Sequence, residues 1–142
     1  MSLAVRAASF DDIPALIASD PFAQTSPQRR TLIAEWTNGG QCFLGELDGG
    51  VSGYVVLTRA FFHSFFIEML AVHGDERRSG IGTALVQFVI DLVPPGEKLW
   101  TSTNESNAPM RQLLVGLGFV ESGRIDNLDE DDPELIFVRL PD

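Results

Sequence analysis

Arg77-Arg78-Ser79-Gly80-Ile81-Gly82 is the stretch of this chain whose residue types and spacing are best suited to chemistry. An apolar run, Phe65 to Val72, precedes it, and from Ile81 the apolar positions shift to helical spacing: Ile81, Ala84, Leu85, Phe88, Val89 and Leu92. The expected unit is a buried strand, a basic glycine turn and an amphipathic helix. Glycine lets a backbone approach a ligand with no Cβ in the way. The first turn of a helix leaves four amide N–H groups unpaired and carries the positive end of the helix dipole. Such an end accepts phosphate. Two other phosphate loops fail on residues: a P-loop needs a lysine and a hydroxyl residue after its final glycine, and neither the spacing nor the lysine is here, and no third glycine stands near Leu85 for a dinucleotide fingerprint. The plain alternative is a tight turn flanked by surface arginines, with backbone amides rather than Arg77 and Arg78 holding any phosphate.

Glu68 is the one carboxylate in the apolar strand ahead of that turn. A buried charge is costly unless it is paired or used, so Glu68 reads either as a structural ion-pair partner or as a working group of a site. No spacing in the sequence points His63 or His73 to a ligand or catalytic role, and they read as loop or surface histidines. The single cysteine, Cys42, reads as a buried strand residue, and Tyr54, the single tyrosine, as a core or cross-strand residue. Two histidines and one cysteine without ligand spacing predict no metal site.

The elements that must position these residues follow from periodicity and turn signals. Leu3 to Arg6 reads as a first strand. Ser9 with Asp12 opens a helix whose face is Ile13, Leu16 and Ile17, and Ser26-Pro27 opens a second with Leu32, Ile33 and Trp36, ended at Asn38-Gly39-Gly40. Cys42 to Leu47 and Val51 to Thr58 are strands joined by the hairpin signal Asp48-Gly49-Gly50, with Phe65 to Val72 a third. Pro94-Pro95-Gly96 stops the long helix, Leu99 to Ser102 is a short strand, and Met110, Leu113, Leu114 and Leu117 make one helical face closed by Gly116 and Gly118. Phe119 to Ile125 and Leu135 to Leu140 are the last strands, with an acidic loop from Asp126 to Glu134 between them. The loop reads as solvated, or as a rim for a cationic acceptor. Phe61, Phe62, Phe65 and Phe66 divide among core, acceptor lining and dimer surface, since alternate strand positions face opposite ways.

Bulk numbers limit the partners. With 142 residues, 44% hydrophobic and 21% charged, one globular domain over 1–142 is expected. Ten basic against 20 acidic residues, a formal charge of −10, argue against nucleic acid, which is held by basic surfaces. The acidic balance admits a cationic substrate, though solubility explains it as well. The longest apolar candidate, Phe61 to Val72, is broken by His63 and Glu68, so no membrane span is expected. No basic-then-apolar leader opens the chain, and a cytoplasmic protein is the simplest expectation.

Arg77-x-x-Gly80-x-Gly82 after a strand resembles the acetyl-coenzyme A motif of the GNAT superfamily of N-acetyltransferases. Asn107, Leu113 and Leu117-Gly118-Phe119 resemble that family's later asparagine-to-Leu-Gly-Phe signature, and the element order covers nearly the whole chain in the family's sequence. The resemblance implies an α/β, GNAT-like three-layer fold: a mixed, mostly antiparallel twisted sheet of six to seven strands with about four helices. It implies acetyl-CoA as acyl donor, its pyrophosphate on Arg77 and the amides of Arg78, Ser79, Gly80, Ile81, Gly82 and Thr83. It further implies the pantetheine arm along the backbone of Leu70 and Val72, Asn107 near that arm, Glu68 as base and the Leu70 amide as oxyanion donor. The implied reaction is direct transfer in a ternary complex to a primary amine of a small molecule or peptide, and a homodimer fits by analogy. Many family members carry a tyrosine, as acid toward the leaving thiolate, where this chain has Leu114. That departure leaves open a coenzyme A-binding sensor that does not turn over, and the acyl-chain length of the donor is equally open.

Overall fold

The computed structural model describes residues 2–74 and 79–142. The order is β1 (Leu3–Ala7), α1 (Ile13–Ser19), α2 (Pro27–Asn38), β2 (Cys42–Leu47), β3 (Gly50–Phe61), β4 (Ser64–Val72), α3 (Ile81–Leu92), β5 (Leu99–Asn104), α4 (Ala108–Gly116), β6 (Val120–Ile125) and β7 (Glu134–Arg139). Short 3-10 turns stand at Phe10–Asp12 and Pro21–Gln24. The seven strands run β1-β2-β3-β4-β5-β7-β6, with β4 and β5 parallel and the pairs β1–β2, β2–β3, β5–β7 and β6–β7 antiparallel. This is the expected α/β class, with the strand number at the upper end of the expected range. Among the described residues, no helix is long and apolar enough to cross a membrane.

The chain divides into two compact units, Met1–Leu57 with Met69–Val89, and Thr58–Glu68 with Ile90–Asp142. In the first, strand alternation sorts side chains to two faces. Cys42, Leu44, Tyr54 and Val56 join Leu16, Ala23, Ile33 and Trp36 in one buried cluster, so α1 and α2 cover that face. The opposite face carries Gly45 and Gly53, directly paired across β2 and β3. A Cβ on Gly45 would lie 2.6 Å from Ile81 Cδ1, and one on Gly53 3.3 Å from Leu85 Cδ1. The two glycines thus leave a bare patch on the sheet, and the first two turns of α3 settle onto it through Ile81 and Leu85, both buried.

Gly53 also admits β4. Its Cβ would sit 2.6 Å from the Ala71 carbonyl oxygen and 3.2 Å from Val72 Cα. Both are backbone, so Gly53→Ala must push the strands apart, at a cost of about 1–3 kcal/mol as in other overpacked cores. The urea midpoint should fall for Gly53→Ala. It should stay put for Gly50→Ala, where the nearest contact is 3.8 Å. Equal midpoints for the two variants would show that the approach of β4 does not depend on Gly53.

In the second unit β7 is buried from Leu135 to Val138, and β5 buries alternate residues Leu99, Thr101 and Thr103. α4 ends where Phe119 N–H donates to the Leu114 carbonyl at 3.0 Å and the Arg139 side chain donates to the Leu117 carbonyl at 3.1 Å. The acidic segment between β6 and β7 is tied down. Asn104 donates to Asp129 at 2.9 Å, and the Ser106 hydroxyl donates to Asp132 at 2.6 Å.

Candidate functional site

The first unit supplies the end of β4 and the start of α3. Gly80, at φ +89°, is exposed, in a left-handed conformation that costs other residues strain, and a Cβ there would meet nothing within 4 Å. The helix ladder begins with Ala84 N–H donating to the Gly80 carbonyl at 3.0 Å. The N–H groups of Gly80 to Thr83 therefore precede the first helical bond. Of these, Ile81 N–H points to Ser79 Oγ at 3.4 Å, and Thr83 is exposed. A helix start suits an anion. Arg77 and Arg78, the two arginines expected beside it, lie outside the described residues.

Leu70 and Val72 are half-buried on β4, whose far end is held to β3 by His73 N–H donating to the Ser52 carbonyl at 2.8 Å. The pairing of β4 with β5 runs Phe65–Leu99, Phe66–Trp100 and Ile67–Thr101. It ends there, with Thr101 Oγ1 donating to the Ile67 carbonyl at 3.1 Å, although β4 continues to Val72 and β5 to Asn104.

Glu68, in the second unit, is the residue immediately after that last pair. It is half-buried, and the hydroxyl of Thr58 donates to its Oε1 at 3.2 Å. Thr58 is itself buried and accepts the Ala60 N–H at 3.2 Å. The sequence reading missed Thr58. The one available signal was a hydroxyl residue near the end of an otherwise apolar strand, opposite the strand that carries Glu68.

Asn107 caps α4, its Oδ1 accepting from Met110 N–H at 3.3 Å, so its carbonyl already has a structural task. Leu114 is fully buried and can only pack. Tyr54 offers no substitute acid: it too is fully buried, and its hydroxyl donates to Asp20 at 2.7 Å. Burial and the neighbouring Asp20 carboxylate push its ionisation well above the usual tyrosine range. Cys42 is buried, and desolvation pushes its thiol up to about 11, which keeps it neutral at pH 7 and unsuited to attack a thioester.

The aromatic cluster divides as strand alternation predicts. Phe61 stacks on Phe66 at 5.3 Å and lies against Trp100 at 5.2 Å, whereas Phe65 lies under the Arg59 guanidinium at 4.3 Å. Phe62 is 84% exposed and stands in a left-handed turn with His63.

The parallel β4–β5 pairing stops at Ile67 and Thr101, and β4 runs on through a glycine turn into α3, within a seven-stranded α/β sheet. The chain matches the model of the acetyltransferase (GNAT) family over residues 10–119. It is 36% identical over 110 residues to the UPF0157 protein YqkA of Bacillus subtilis (strain 168), a match covering 78% of this chain and 28% of the length of that protein. A GNAT-family acetyltransferase from Bacillus cereus ATCC 10987 superposes with a TM-score of 0.91 at 31% identity, with 99% of each chain covered. The structure of yncA from Salmonella typhimurium, solved with its cofactor acetyl-CoA, shares the fold with a TM-score of 0.79 at 16% identity, over 100% of this chain and 95% of that one. The chain belongs to the acetyltransferase (GNAT) family.

Proposed function

We propose that the chain is an N-acetyltransferase, acting as one catalytic domain, that moves an acetyl group from acetyl-CoA to a primary amine of a small molecule or peptide. The observation that carries this reading is the end of β4–β5 pairing at Ile67 and Thr101, just before Glu68, on the strand that leads to the glycine turn. The backbone of Leu70 and Val72 then receives the pantetheine arm as an added strand would be received. The start of α3, from Ser79 through Gly80, Ile81, Gly82 and Thr83, takes the pyrophosphate. Arg77 and Arg78 add positive charge to an otherwise acidic chain.

The acceptor reaches the site as an ammonium ion of pKa about 10 and must lose a proton before its nitrogen can attack the thioester. Glu68 takes that proton, directly or through water. The Leu70 amide N–H stabilises the oxyanion that forms on the acetyl carbonyl. Collapse of the tetrahedral intermediate releases coenzyme A thiolate, protonated by solvent or by the acceptor's second proton, since Leu114 has none to give. Asn107 contributes from the start of α4 through the groups its cap leaves over.

Thr58 is a positioning residue in this scheme, because its hydroxyl fixes the Glu68 carboxylate. Thr58→Val should lower kcat by about three- to tenfold, the worth of one such hydrogen bond, with KM for acetyl-CoA unchanged. Thr58→Ser should restore the rate. Equal kcat for the Val and Ser variants would remove Thr58 from the scheme.

A second reading, a coenzyme A-binding sensor without turnover, draws its support from Leu114 alone. Free-thiol release from acetyl-CoA across a panel of amines separates the two, with Gly82→Trp as the variant blocked at the cofactor turn. Amine-dependent release by the wild type and not by Gly82→Trp is the expected result. Binding of acetyl-CoA with no release across the panel would favour the sensor.

A further inference from the structure

β6 is the last strand of the sheet, with β7 on one side, and all six of its residues are exposed. An edge strand offers unpaired N–H and C=O groups to any passing strand, and proteins blunt such edges with charges and bulges. β6 has both devices, arranged in an order that fits the strand to itself. Val120-Glu121-Ser122-Gly123-Arg124-Ile125 reads, from either end, apolar, charged, small. Its two charges are of opposite sign. A second copy laid antiparallel, with Glu121 of each chain facing Arg124 of the other, sets acid against base twice and Val120 against Ile125 twice.

In an uninterrupted strand that register is impossible. Directly opposed residues of an antiparallel pair must present the same edge and the same face, and both properties alternate residue by residue. Glu121 and Arg124 are three residues apart and would fall out of phase. The bulge corrects this. Against β7 the register passes from Glu121–Phe137 to Gly123–Ile136, so Ser122 is the extra residue. Counted along β7, Glu121 and Arg124 stand opposite Phe137 and Leu135, two positions apart, and Val120 and Ile125 stand opposite Val138 and Glu134, four apart. Each pair is back in phase. The insertion that guards the edge against an unselected strand also makes it complementary to its own copy.

We infer that β6 is the docking surface for a second copy of this chain, the two strands pairing antiparallel about a two-fold axis at Ser122–Gly123. Such an interface is isologous, so each favourable contact occurs twice. Val120, Ile125 and Leu128 are all more than two-fifths exposed, and Leu140, two residues beyond the Val120 partner Val138, is half exposed, which gives the pairing an apolar component. Arg124 now bonds Asp126 at 2.7 Å, but both side chains are more than half exposed, and such pairs hold weakly enough to exchange. Antiparallel pairing also keeps the two acidic segments apart, since each follows Ile125 and lies at the Val120 end of the other copy.

Sedimentation of wild type, Glu121→Arg and Arg124→Glu tests this. Wild type should show a concentration-dependent dimer. Each single variant places like charges opposite one another twice and should weaken the dimer roughly tenfold or more. Mixing the two variants sets the introduced arginine of one chain against the introduced glutamate of the other, and the native Arg124 of the first against the native Glu121 of the second. The mixture should therefore restore a heterodimer of wild-type strength. A wild type that stays monomeric to its solubility limit would overturn the proposal. So would a dimer indifferent to both substitutions, or a mixture no tighter than its components.

Discussion

Glu68→Gln should lower kcat by about 10²- to 10⁴-fold, the usual worth of a positioned general base, while acetyl-CoA affinity stays at the wild-type level. Glutamine keeps the shape of the side chain and an oxygen to accept the Thr58 hydroxyl, while the substitution removes the charge and the ability to take a proton. The deficit should shrink as pH rises toward the acceptor's pKa of about 10, because each unit of pH raises the fraction of free amine about tenfold. Steady-state rates between neutral and alkaline pH, with a separate calorimetric titration of acetyl-CoA, measure both parts. Unchanged turnover at neutral pH would return Glu68 to a structural role.

The largest stability effect is expected at a residue remote from the chemistry. Asp20 is 3% exposed and accepts three hydrogen bonds: from the Tyr54 hydroxyl at 2.7 Å, from Arg29 at 2.8 Å and from Phe22 N–H at 3.1 Å. Arg29 also lies over the Phe22 ring at 4.6 Å, so one carboxylate ties α2, β3 and the Pro21–Gln24 turn together. Asp20→Ala leaves a guanidinium and a buried phenol without their acceptor. Breaking a buried pair in this way costs about 3–5 kcal/mol. For a chain of this length that lowers Tm on the order of 10 °C. Tyr54→Phe loses a single hydrogen bond to the same carboxylate and should cost about 1.5–3 kcal/mol. Calorimetry of the two variants checks the order. Asp20→Ala within about 1 kcal/mol of wild type, no more than one ordinary hydrogen bond, would mean that solvent satisfies Arg29 and Tyr54 once the carboxylate is gone.

What the residues announce in advance depends on whether a local signal exists. The strands and helices carry their period in the sequence, and the bounds of β2, α2 and α3 follow it closely. Asp48-Gly49 is legible as a two-residue hairpin turn because aspartate and glycine tolerate the left-handed values found there, φ 53° and 87°. Phe62-His63 makes the corresponding turn between β3 and β4 at φ 52° and 63°; histidine enters that region more readily than most residues, but phenylalanine gives no such signal. The turn is imposed by the pairing of the long strands on either side, a tertiary effect that overrides local preference. Ser9 and Asp12 do meet, with Ser9 N–H donating to the Asp12 carboxylate at 2.8 Å, but the turn they start is 3-10 before it becomes α1. Arg6 bonds the same carboxylate and holds it well below the usual range, a contact across six residues that no capping pattern contains.

For the candidate site, residue type marks the glycine turn and Glu68, because glycines before a helix and a carboxylate in an apolar strand are both exceptions to their surroundings. Gly45 and Gly53 look like weak points in two strands. Their purpose emerges only from the register that brings them side by side beneath Ile81 and Leu85. Thr58 and the end of β4–β5 pairing are likewise consequences of register, and the bulge at Ser122 is a property of two strands rather than one. Pairing is long-range information, and a single sequence encodes it without displaying it.

The most direct test of the account follows the acetyl group itself. Acetyl-CoA labelled in the acetyl carbonyl is incubated with the protein and an amine that supports thiol release, and the products are weighed by mass spectrometry. One labelled amide for each coenzyme A released, with neither product formed when the amine is withheld or Gly82→Trp replaces the wild type, is the predicted result. Labelled acetate without amide, or bound acetyl-CoA returned intact in the presence of every amine tried, would contradict it.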